Sequence, residues 1–226
     1  MLLTSAPDPG ALLQRADVLI EKGTRASQLK GAKMLLATHK VRPGEVTTMS
    51  AVARAWFLRA LWSKDLQRKE RASNRGIRAS RALVKAFPDR AEGYYWASIN
   101  YGMKAQAVGV VRAVSEGLAN RIEKNGLRAL KRNPRLYGGA VQRMLGRYYY
   151  LVPWPMQKLE RSLTLLEQSY KADPKHPATQ LYLAEVLLAS GHDKRALGLL
   201  RTCSTARNHT DPEAIPTCRQ RLLDMN

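Results

Sequence analysis

The stretch PATQLYLAEVLLASGHDKRALGLL, residues 177–200, decides the fold. Pro177 suits the first turn of a helix, where a missing N–H costs nothing. Leu183, Ala184 and Leu187 recur at the spacing of one helical face, and Gly191 then breaks the run. Ala196 and Leu200 take up the same period on the far side. The reading is two short antiparallel helices, with bulky residues of one seated over small residues of the other.

Further upstream, prolines give the same stop. Pro43, Pro88, Pro134 and Pro174 close the segments ATHKVRP, VKAFP, ALKRNP and SYKADP, at intervals of 45, 46 and 40 residues. A proline ends a helix because its ring clashes with the preceding turn. A copy starting at Ala91 places Tyr94 at position 4, Ala97 at 7, Ser98 at 8 and Tyr101 at 11. One starting at Gly139 places Leu145, Gly146 and Tyr149 at 7, 8 and 11. There Val152, Pro153, Trp154 and Pro155 form an inserted turn before LERSLTLLEQSYKADP resumes the pattern. Large residues at position 4, small ones at 8, 20 and 27, and proline at 32 mark the tetratricopeptide repeat, whose ideal length is about 34 residues. The sequence therefore predicts an all-α, tetratricopeptide-like helical-repeat solenoid of antiparallel helix pairs. Residues 1–226 form a single domain in this reading, with repeats at about 11–43, 50–88, 91–134, 139–174 and 177–208. A C-terminal capping helix follows at 212–224, opened by Pro212 and Glu213.

Composition agrees with helices. Of 226 residues 45% are hydrophobic, enough for a core, and Ala, Leu, Arg and Lys dominate. The net charge of +20 sets up a long-range positive field that favours an anionic partner. The first residues show no secretory pattern and no apolar run is long enough for a membrane span. The expected compartment is periplasmic if an export signal has been removed, otherwise cytoplasmic. Cys203 and Cys218 could pair in an oxidising compartment or remain buried thiols; their spacing does not choose.

From Asp89 to about Leu200 the sequence resembles the T-component family associated with tripartite ATP-independent periplasmic (TRAP) transporters. The resemblance rests on FPDRAEGYYWASINYG (87–102), NPRLYGGAVQRMLGRYYYLVPWP (133–155) and the segment 158–172. It implies a periplasmic helical accessory that contacts a substrate-binding protein or holds a small hydrophobic ligand. The chain departs from the family in lacking an acylated cysteine near its start and in its strong positive charge. The same segments are similar, less closely, to eukaryotic regulators of microtubule dynamics.

No constellation points to catalysis. His39, His176, His192 and His209 are scattered, no glycine-rich phosphate loop occurs, and Cys203 with His209 lacks a third orienting group. No metal or cofactor is expected. Tyr94, Tyr101 and Tyr149 fall on inward positions and read as core. Tyr95 and Tyr150, at positions 5 and 12, are expected to face the concave groove, where Arg143 and Arg147 share a helix face with Tyr150. Arginine forks beside a tyrosine suit a carboxylate or acidic peptide, unless they pair with acids such as Glu92 or Glu185. On another helix Arg71, Arg75, Arg78 and Lys85 form a basic stripe without aromatic interleaving. The sequence thus favours a non-catalytic scaffold or adaptor gripping an acidic protein segment, or a small organic ligand, in its groove. The alternative is a basic surface that binds nucleic acid or anionic membrane.

Overall fold

The computed structural model describes residues 8–206 and 211–225, and among them the chain forms eleven α-helices and no strand. In chain order they are α1 (Pro9–Glu21), α2 (Arg25–Val41), α3 (Val46–Leu61), α4 (Leu66–Ala86), α5 (Ala91–Ser115), α6 (Leu118–Arg132), α7 (Ala140–Leu151), α8 (Leu159–Ala172), α9 (Pro177–Ala189) and α10 (Asp193–Ser204), and α1 packs on α2, α3 on α4, α7 on α8 and α9 on α10. A last helix, α11 (Ala214–Asp224), packs against α9 and α10. Two compact units result, residues 1–125 and 126–226. His209 lies outside the described residues.

Local chemistry sets the helix starts. The Asp8 carboxylate accepts from the N–H groups of Gly10 and Ala11 at 3.2 and 3.0 Å, with Pro9 in the first turn. Thr24 caps α2 and Asp65 caps α4 in the same way. Such caps satisfy amides that the helix itself leaves without partners.

In the first unit, small and large apolar residues alternate between facing helices. Ala16 and Ile20 meet Ala32, Leu35, Ala51, Ala55 and Leu58 in one cluster. Buried Gln28 is tied at both ends, donating to the Ile20 carbonyl at 3.1 Å and accepting from the Trp62 indole at 2.8 Å. Tyr94, Trp96 and Tyr101 are buried on α5. That helix is broken at Gly109, whose φ of 77° a side chain would resist, so its last turn leaves the axis. Arg112 on that turn holds Glu70 of α4 through two bonds of 3.0 and 2.6 Å.

In the second unit, Tyr137, Gly138 and Gly139 all adopt positive φ, making the tight turn that starts α7. Leu145 and Tyr149 are buried, and Gly146 lies so close to α8 that an added Cβ would stand 2.6 Å from Leu166 Cγ. The Ser162 hydroxyl donates to the Gly146 carbonyl at 2.7 Å. Leu166, Leu181, Leu183, Leu187, Leu199 and Leu200 fill the rest of this core. Cys203 and Cys218 form a disulfide that fastens α11 to α10.

The closing helix starts later than its sequence suggests. Asp211 accepts from the Glu213 N–H at 3.0 Å, which makes Asp211–Glu213 a turn, so α11 opens at Ala214 with no acid in its first turn. A side chain that bonds the backbone two residues on competes with helix initiation, and here it prevails.

Candidate functional site

Arg143, Arg147 and Tyr150 stand at i, i+4 and i+7 on α7, and the structure brings them together on one face. They look onto Thr179, Tyr182 and Glu185 of α9. Arg143 meets a hydroxyl, that of Thr179, at 3.3 Å. Arg147 pairs with Glu185, and its guanidinium lies 4.4 Å from the Tyr182 ring centre and 5.6 Å from that of Tyr150. Glu185, only 4% exposed, also receives Arg221 of α11 at 3.0 Å. This partner raises the Arg221 guanidinium above its usual range through a hydrogen bond to the carboxylate.

Tyr182 closes the floor of the site. Burial, and next the Asp211 carboxylate, hold its phenol far above the ordinary value, so at neutral pH it keeps its proton and donates to Asp211 at 3.0 Å. Three guanidiniums thus face two carboxylates around a pair of tyrosine rings. The arrangement sets guanidinium donors and aromatic rings side by side. It offers no activated nucleophile, and no cluster of metal-ligating side chains occurs among the described residues.

Tyr95 belongs to the first unit, is 7% exposed and stands edge-on to Trp96 at 5.0 Å between ring centres. Glu92 is engaged by Arg90 at 2.7 Å. Of the two acids named as pairing candidates, Glu185 is therefore the one that meets Arg147.

The second cluster of interest is on α4, where Arg71, Arg75, Arg78 and Lys85 are all exposed. One of them has an aromatic partner from another helix. The Arg75 guanidinium lies 4.8 Å from the Trp56 ring centre, with Arg59 5.3 Å from the same ring. Trp56 comes from α3, 19 residues earlier than Arg75, so a periodicity along α4 alone could not reveal it.

Tyr182, Arg221 and Trp56 escaped sequence reasoning. Glu185 had a usable signal, since it occupies position 9 of its repeat, as Arg147 does of the one before. Opposite charges at one position of successive first helices are set to meet across the groove.

Comparison with known proteins now bears on this geometry. A family model described as Tetratricopeptide repeat matches residues 156–214. The crystal structure of TTC0263, a thermophilic tetratricopeptide protein of Thermus thermophilus, superposes with a TM-score of 0.67 at 18% identity, covering 96% of this chain and 98% of that one. The fold is the tetratricopeptide-repeat fold. MamA aligns with a TM-score of 0.48 at 14% identity over 86% of this chain and 89% of that one. YrrB, described as a tetratricopeptide protein with an unusual peptide-binding site, gives 0.48 at 10% over 95% and 92%. No curated protein sequence matches the chain. Within the tetratricopeptide fold, α7 and α9 are first helices of successive repeats, the position from which Arg147 and Glu185 meet.

Proposed function

We propose that the chain is a binding scaffold whose second unit grips an acidic protein segment through Arg143, Arg147, Tyr150 and Tyr182. The observation that carries this reading is Arg143. It is a half-buried guanidinium on the same face as two tyrosines, and a single hydroxyl at 3.3 Å is its one hydrogen-bond partner among the described residues. A carboxylate entering beside Thr179 would give it the fork-to-fork pairing that arginine geometry favours. Tyrosine rings add contact area at low entropic cost.

The test is titration of the full chain with a glutamate-rich peptide. Arg143→Ala should weaken binding roughly ten- to a hundredfold, in line with about 1.5–3 kcal/mol for a charged hydrogen bond, with little change in melting temperature. Arg147→Ala is a poorer probe, because Arg147 also supports Glu185 and Tyr182. Arg71→Gln, Arg75→Gln and Arg78→Gln together should leave peptide binding within about threefold, since exposed charges that do not touch the peptide act on it through salt screening.

A second reading has its own observation in the Arg59–Trp56–Arg75 cluster, which would suit a basic surface for nucleic acid or anionic membrane. If the triple α4 variant loses the peptide while Arg143→Ala keeps it, this second reading takes over. The sequence resemblance supports a narrower role as an accessory of a periplasmic transporter. Its check is co-purification with a solute-binding protein encoded beside it, and an Arg143→Ala chain that still co-purifies undiminished would separate that role from the groove.

A further inference from the structure

The turn between α7 and α8 carries an unusual load. Trp154 is 86% exposed and Leu151, just before it, is 57% exposed. The turn is nevertheless fixed in place. The Val152 N–H donates to the Tyr148 carbonyl, Met156 N–H to Pro153 and Lys158 N–H to Tyr149, each at 3.0 Å. The Gln157 amide adds a bond of 2.9 Å to the Tyr150 carbonyl. Pro153 and Pro155 limit the backbone on both sides of the ring. The backbone that carries the exposed indole is thus hydrogen-bonded on both sides, so little backbone ordering entropy is left to lose when something covers the ring.

We propose that this turn docks on an anionic lipid bilayer, with Trp154 and Leu151 entering the headgroup layer and Lys158 and Arg161 facing lipid phosphates. Lys158 and Arg161 stand on the Tyr149 ring at 5.4 and 4.7 Å, at the foot of the turn, with Glu160 as the carboxylate between them in sequence. The chemistry favours a bilayer over a protein pocket as occupant. Exposed apolar side chains, Leu151 and Trp154, are followed in the chain by exposed cations, Lys158 and Arg161, the combination with which amphipathic anchors meet an interface. Tryptophan in particular settles at headgroup level, where its ring is apolar and its N–H stays wet. The net charge of +20 draws the chain to a negative surface before any contact is made. The Cys203–Cys218 bond is of the kind kept in oxidising compartments, the periplasm and the cell surface among them. The proposal does not depend on the Arg143 site.

The experiment uses the full oxidised chain with vesicles of phosphatidylcholine mixed with phosphatidylglycerol, and with pure phosphatidylcholine as control. Sedimentation with the mixed vesicles is expected, together with a blue shift of tryptophan emission that brominated acyl chains quench. Trp154→Ser should abolish the shift and weaken partitioning roughly tenfold or more, the effect of exposing one large ring. Lys158→Gln with Arg161→Gln should weaken it roughly thirtyfold, from about 1 kcal/mol per cation at an anionic surface. Unchanged melting temperatures keep both results free of folding effects; where a melt falls, quenching of Trp154 by brominated lipid in the otherwise native chain decides. Three outcomes would overturn the proposal. One is no emission shift with mixed vesicles. Another is vesicle binding that survives Trp154→Ser and disappears with the Arg71, Arg75 and Arg78 substitutions. The third is self-association that Trp154→Ser removes while vesicles never bind, which would make the tip a contact between copies.

Discussion

Replacing Gly146 by leucine is expected to loosen or unfold the second unit, lowering stability by about 1–3 kcal/mol through overpacking. The first carbon added already meets Leu166 Cγ at 2.6 Å and the Ser162 carbonyl oxygen at 3.2 Å. Neither can retreat easily, since Leu166 is fully buried and the Ser162 hydroxyl is bonded to the Gly146 carbonyl. Leucine's better helix propensity returns up to about 1 kcal/mol, which reduces the loss without removing it. Thermal unfolding followed by circular dichroism reads the result. A melting temperature equal to that of the parent would mean that α7 and α8 do not meet at this glycine.

Reduction of the Cys203–Cys218 bond should have an effect of similar or larger size. The cysteines are 15 residues apart in sequence, and opening a loop of that length frees the unfolded chain by about 3 kcal/mol. The native contacts of α11 are modest by comparison: Ala214, Ile215 and Cys218 are its buried residues. Denaturant unfolding with and without reductant, and of Cys218→Ser, should show the same lowered midpoint. Equal midpoints, with thiol titration confirming reduction, would show that packing alone holds α11 in place.

How much could be read in advance depended on how local the cause was. The helix pairs were legible because their causes lie within a few residues: Pro177, Gly191 and the alternation of Ala184 with Leu183 and Leu187 act along one segment. The small position at Gly146 was legible for the same reason. The start of α11 was not, since Pro212 reads as a helix opener and only the bond from Asp211 to Glu213 diverts it. Much of the candidate site was also hidden. Arg143, Arg147 and Tyr150 share a helix and could be read from spacing, but Tyr182 and Arg221 join them through folding over 30 residues or more of chain. Nor does position 5 of its repeat reveal that the Tyr95 ring is packed edge-on to its neighbour Trp96. A repeat register tells which way a side chain leaves its helix, not what has already covered it.

The covalent tie of α11 has one more meaning, which concerns growth. A stack of like elements presents at its end the same surface that its interior elements use to hold one another, and contacts of that head-to-tail kind run on into fibres when they do not close. Here such a surface, on α9 and α10, is occupied by a helix whose exposed side bears Arg219, Gln220, Leu223 and Asp224. The plug cannot drift off, because one sulfur of the chain is bonded to another. The stacking surface of α9 and α10 is thereby covered from within the chain, by a helix held through a covalent bond as well as by packing.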